Sequence, residues 1–359
     1  MPRQWAASLA SVQAKLPHRT NINMLQFDEI VIMEAWQRLL LLGSEGITCD
    51  MQTGHVIGLN LTNSCLYGCI NSINAAFQLT HLTSLDLSMN NFILCFISNR
   101  LGDLSKLTHL NLSFSWFAGE MPMEISSLSQ LVSLDFSGND HLSLSSDSLS
   151  SLAQNLTKLR GLHLNKVNVS SPMLDALSNF TSLNSLQLRS AQLIPGAVFM
   201  LPNLEVLDLM YNENLRCYLP EFPAKSSPLK KPTLASTSFC GELPESIANL
   251  GSLQVVDIGN CSFNGWIPSS IAKLTKLSKL VHARNHFQGH IPPSLENLTS
   301  SQTCHSHTMI SAPWKACLGW GIKLTELKCL YLAVVNLYGH IPSVLSKLVN
   351  IERLHLNYN

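Results

Sequence analysis

The stretch Leu250 to Pro292 reads LGSLQVVDIGNCSFNGWIPSSIAKLTKLSKLVHARNHFQGHIP and is nearly two copies of one unit. Leu250, Leu253, Val256, Ile258, Phe263, Gly265, Ile267 and Pro268 fall at fixed offsets. Leu274, Leu277, Leu280, Phe287, Gly289, Ile291 and Pro292 repeat those offsets 24 positions on. Each offset has a physical reading. Val256-x-Ile258 predicts a short strand whose alternate residues point inward. Gly265 permits a bend after it, and Pro268 suits a segment that needs no ladder N–H. SSIAKLTKL predicts a helical return that brings Leu274 and Leu277 onto the same core. One unit cannot bury its own apolar face, so the pattern has meaning only when stacked.

Outward from this stretch, the strand leucine recurs at Leu59, Leu85, Leu110, Leu134, Leu162, Leu186, Leu207, Pro232, Val256, Leu280, Leu330 and Leu354, mostly in steps of 24 to 26. The unit LxxLxxLxLxxNxLxGxIPxxLxxL is a leucine-rich repeat, with a period inside the range of that class. The expected fold is α/β: a leucine-rich-repeat solenoid of about twelve to thirteen coils. It should form a curved right-handed superhelix with a parallel sheet on the concave face. Residues 1–45 lack the repeat and are expected to be poorly ordered or partly helical. Residues 46–359 form the repeat domain, with a remnant cap and first coil over 46–70 and a degenerate coil over 298–321. The insert HLSLSSDSLSS is expected to bulge on the convex side. Pro232 and His282 stand where the pattern wants aliphatic side chains, and each weakens its coil.

Lysine plus arginine equals aspartate plus glutamate at 23 each, so no field favours nucleic acid or an anionic membrane. Ten cysteines are too sparse for a disulfide scaffold. Cys49, Cys65 and Cys69 cluster where an end-cap disulfide would sit, whereas Cys240, Cys261 and Cys329 read as small buried hydrophobes. Sequons at Asn60, Asn111, Asn155, Asn168, Asn179, Asn260 and Asn297 favour a secreted, glycosylated chain. The first residues contain no signal-peptide-like apolar run, and IVIMEAWQRLLLLG falls short of a membrane span.

At LxGxIPxxLxxL the chain resembles plant extracellular leucine-rich-repeat receptor-like proteins of the disease-resistance type. The runs that carry the resemblance are NLSFSWFAGEMPMEISSLSQL, TSFCGELPESIANLGSL, CSFNGWIPSSIAKLTKL and NLYGHIPSVLSKLVNI. GITCDMQTGHVIGLNL is similar to the tail of that family's N-terminal cap, although LLLLGSE replaces the cap's cysteine and tryptophan. The resemblance implies a non-enzymatic ectodomain at the plasma membrane's outer face. It would bind an extracellular peptide or protein and signal with a co-receptor kinase in defence or development. With family features missing at both ends, the chain reads as a fragment or damaged copy, which leaves a non-functional gene fragment as one alternative. The other is a soluble inhibitor of secreted cell-wall-degrading enzymes, similar to the polygalacturonase inhibitors.

No catalytic or cofactor signature occurs: there is no nucleophile elbow, phosphate loop, HExxH or CxxC. No cofactor and no metal are expected. Cys304-His305-Ser306-His307 has ligand-type residues close together, but no pattern places further ligands near it. Ligand binding is expected on the concave sheet, at the exposed positions of LxLxx, through His163, Lys166, Gln187, Arg189, Met210, Tyr211 and Arg284. That mixture of cationic, soft and aromatic groups suits a contact core. Glycans at Asn60 and Asn111 would cover the first few strands, which moves the expected contact zone to Leu162–Leu280.

Overall fold

The computed structural model describes residues 46–69, 76–169, 177–191, 197–224, 227–277, 279–281 and 284–287, and the strand backbones at 303–305, 329–331 and 353–355. The expectations for residues 1–45, for His282, and for all of 298–321 except one strand lie outside them. The chain divides into two compact units, Met1–Ser170 and Ser171–Asn359.

In the first unit, the strands Val56–Asn60, Ser84–Asp86, His109–Asn111, Ser133–Asp135 and Gly161–His163 stack as a parallel sheet. Leu59, Leu85, Leu110, Leu134 and Leu162 lie in one register across it and are almost wholly buried. The strand Ile47–Cys49 closes the free edge in antiparallel pairing with Val56–Asn60. In the second unit, Ser185–Gln187, Val206–Asp208, Lys231–Thr233, Val255–Asp257, Lys279–Val281, Thr303–His305, Cys329–Tyr331 and Arg353–His355 repeat the arrangement. The register there runs Leu280, Cys304, Leu330, Leu354. A cysteine therefore takes the strand-leucine place in the coil whose pattern the sequence had lost.

Behind the sheets most described coils return through short 3-10 helices such as Ser269–Lys273 and Met123–Ser127. Pro268 and Pro122 precede these helices at φ near −65°, where a missing N–H costs nothing. The Ser-rich insert lies beside the returning 3-10 helix Met123–Ser127. It forms a strand, His141–Leu144, and an α-helix, Ser146–Asn155. Ser145 caps that helix by accepting from the Ser148 N–H, and Leu149, Leu152 and Ala153 are buried from one face. Helical spacing of three apolar residues thus wins over a serine-rich composition.

Rings thread each core. Phe199, Phe239, Phe263 and Phe287 succeed one another with centroids 6.1–6.2 Å apart in the second unit, and Phe92 stacks on Phe117 at 5.0 Å in the first. Buried asparagines tie coil to coil. Asn139 donates to the carbonyls of Leu112 and Phe136 and accepts from the N–H groups of Ser115 and Phe117. Asn90 and Asn212 bond in the same way. The cysteine reading needs correction. Cys69 pairs with Cys95 of the next coil, with Cα atoms 5.3 Å apart, while Cys49 and Cys65 are free thiols. Cys49 sits in the edge strand opposite Val56, away from such a partner.

Candidate functional site

In ten described coils the residue four places past the central strand position adopts a left-handed backbone. Asn63, Met89, Phe114, Gly138, Lys166, Ser190, Tyr211, Ser236, Asn260 and Arg284 all have φ between 52° and 74°. The bend turns the chain off the sheet while its N–H still reaches the next coil, as Tyr211 N–H does to the Ala235 carbonyl. Lys166, Tyr211 and Arg284 were expected on the concave sheet. They stand instead on the turn that leaves it, because the ladder ends before the fourth residue.

In the second unit, Gln187, Asp208, Thr233, Asp257 and Val281 share one register row, directly after the inward strand position. Ser185, Val206, Lys231, Val255 and Lys279 flank it on the other side and face the same way, since the strand period is two. Arg189 rises beside this row, and its Nε and Nη2 lie 2.6 and 2.5 Å from Asp208 Oδ2. The Asp208 carboxylate is nearly buried and also accepts from the Met210 N–H at 3.2 Å. Its hydrogen bond to Arg189 holds the guanidinium pKa above the usual arginine value. Arg189 is therefore a braced group, held by Asp208 beside the row.

Burial pushes the Asp257 carboxyl pKa up, and repulsion from Asp208 adds to this. The Gly259 N–H and the Lys279 charge pull against both, and the net direction is upward. A ligand cation placed here would relieve that carboxylate, and Lys231 and Lys279 offer the complementary sign nearby. Period-two reading of the strands should have picked out these lysines, which precede the strand leucine. The sequence expectation took only the residues that follow it.

Gln187, Arg189, Met210 and Tyr211 fall on two neighbouring coils, and Tyr211 is exposed. Arg284 occupies the Tyr211 place three coils on, about 15 Å away at one strand spacing per coil, with Ser236 and Asn260 between. His163 and Lys166 belong to the first unit. There His163 Nδ1 lies 3.4 Å from Asp135 Oδ2. Burial raises the Asp135 pKa, but hydrogen bonds from His163 and Ser137 outweigh it and hold the carboxyl below its ordinary range.

Among the sequon residues, Asn60, Asn155, Asn168, Asn179 and Asn260 are exposed and Asn111 is half-buried, while Asn297 lies outside the described residues. The Asn111 amide nitrogen, where a glycan would attach, donates to Asp86 at 2.9 Å.

Strand register, ladder asparagines and phenylalanine stack together define a leucine-rich-repeat fold. A family model described as a leucine-rich repeat region matches residues 187–359. The sequence kinship is with plant receptor-like proteins. Receptor-like protein 6 of Arabidopsis thaliana is 39% identical over 214 residues, covering 57% of this chain and 21% of that protein. Receptor-like protein Cf-9 of Solanum pimpinellifolium is 38% identical over 187 residues, covering 51% of this chain and 21% of that protein. The chain thus spans about a fifth of the length of these relatives. Among solved structures, a TDR receptor superposes with TM-score 0.66 at 29% identity, covering 81% of this chain and 50% of that one. The PEPR1–AtPEP1 complex gives TM-score 0.67 at 22% identity, with 98% and 55% covered.

Proposed function

We propose that this chain is a ligand-binding portion of a plant receptor-like protein and acts in defence signalling without catalytic activity of its own. It takes an extracellular peptide or protein on the sheet face of residues 185–281 and passes the signal to a co-receptor kinase. One observation carries the reading. Arg189, Met210 and Tyr211 stand beside the polar row Gln187–Asp208–Thr233–Asp257, whose strands are held in one register by their buried central residues. Such a surface is preorganised, so little ordering entropy opposes binding. The Cys69–Cys95 bridge suits an oxidising, extracellular compartment. The kinship with Cf-9 supports defence, and solved structures of peptide-hormone complexes, such as RGFR1 with RGF2, share the fold. No helix among the described residues is long and apolar enough to cross a membrane.

The test is a binding screen of the purified full chain against a panel of synthetic secreted peptides, read by calorimetry. Arg189→Ala with Tyr211→Ala should weaken any hit by about tenfold or more, while Asp86→Ala with Asp135→Ala should leave it unchanged. Loss in the second pair and not the first would overturn the placement.

A further inference from the structure

The left-handed turn that leaves each described strand is polar or small in most coils: Asn63, Gly138, Lys166, Ser190, Ser236, Asn260 and Arg284 fill it. Two neighbouring coils of the first unit break that habit. Met89 and Phe114 occupy the turn itself, and Leu94 and Trp116 follow at φ of 56° and 62°. Bulky side chains are disfavoured in this region, and asparagine or glycine would relieve the strain. All four are more than half exposed, so burial offsets only part of this. Strain and exposure fall on the same residues, which points to use and not to folding.

These residues form one patch. Met89 N–H bonds the Ser113 carbonyl and Leu94 N–H the Trp116 carbonyl, so the two loops run side by side. Ile93 and Phe96 join them. The Phe96 ring covers Gly119 and the Phe114 ring covers Gly138, where an added Cβ would collide with each ring. Asn63, Asn91, Asp140 and His141 are exposed around and within the cluster. Met89, Ile93, Leu94, Phe96, Phe114 and Trp116 are 55–64% exposed, which at about 200 Å² per large side chain presents roughly 600–700 Å² of apolar surface. That exceeds what a monomer ordinarily leaves bare and approaches the ~800 Å² that each partner gives to a standard interface.

We infer that this face pairs with the same face of a second copy of the chain. The six apolar side chains carry no charge and need no partner of opposite sign. The chain's formal net charge is zero, so no long-range repulsion opposes two copies meeting. An isologous contact doubles one patch into an interface of about 1,300 Å², inside the range of specific dimers.

The experiment compares the full chain with Met89→Asn/Leu94→Asn/Phe114→Asn/Trp116→Asn, by sedimentation velocity up to about 50 μM and by thermal melting. None of the four changes creates a sequon. The parent chain should sediment as a discrete dimer. The variant should be monomeric, with its dissociation constant raised about tenfold or more, and should melt at the same or a higher temperature, because asparagine suits φ > 0. A control, Tyr218→Asn with Trp266→Asn, changes exposed rings elsewhere, creates no sequon and should leave the dimer intact. A monomeric parent chain at the highest concentration would overturn the inference and leave the patch to a different protein. So would a variant that still dimerises, or a control that does not.

Discussion

At Asn139 a single amide spans two coils, donating to Leu112 and Phe136 and accepting from Ser115 and Phe117. Asn139→Ala should cost about 2–4 kcal/mol, since it strands several buried backbone groups at once, and chemical denaturation will measure it. Serine at the same place should cost less, because Ser115 already bonds two carbonyls in this role in the coil before. Asp257 makes the opposite case. Its raised pKa means that the native state holds the proton more tightly than the unfolded chain does. Stability therefore falls as pH rises from the ordinary 3.8 through the raised value. Asp257→Asn should stabilise the protein at neutral pH, keep the Gly259 bond, and lose its advantage below about pH 4 in melts at a series of pH values. The sequence shows the ladder asparagine plainly, because it sits at a fixed offset. It does not show which carboxylate is braced. The Arg189–Asp208 pair depends on side chains 19 residues apart that only the register brings together.

The strand Lys231–Thr233 keeps its place in the sheet although its centre is proline. Pro232 is buried in register with Leu207, yet its pairing to the following strand shrinks to Thr233 with Asp257, where other coils pair at three positions. The missing N–H explains the gap. Pro232→Leu should restore that bond and raise stability by about 1–2 kcal/mol, with amide exchange slowing at Val255 and Asp257 as the local check. This weakness was legible from the strand-leucine register. The helix Ser146–Asn155 was not, because four serines within ten residues hide an apolar stripe that only the helix brings onto one face. The left-handed turns were equally hidden. Nothing in the types Met, Phe, Lys, Tyr and Arg announces φ > 0, and only the geometry of leaving the sheet requires it.

Over the whole chain, fold class was readable because twelve strand positions repeat one small pattern, and repetition survives the loss of individual leucines. The ligand surface was less readable, because an exposed position tolerates any residue and its meaning depends on neighbours one coil away. Covalent wiring was misread for the same reason, since Cys95 lies outside the cysteine cluster that the sequence suggested. Cys95→Ala should destabilise the first unit by about 3–4 kcal/mol, the loop-closure value for the 26-residue separation from Cys69, and denaturant titration under non-reducing conditions will show it. The register itself has a further consequence. Each strand offers its neighbour the same three-residue edge, Ser84–Leu85–Asp86 to His109–Leu110–Asn111 and then to Ser133–Leu134–Asp135. A crossover between misaligned gene copies that joins one coil's strand to another's therefore deletes or duplicates whole turns while every surviving strand still finds a matching edge. Lineages carrying such a chain can lengthen, shorten or shuffle their binding faces by recombination, without first inventing a new way to fold.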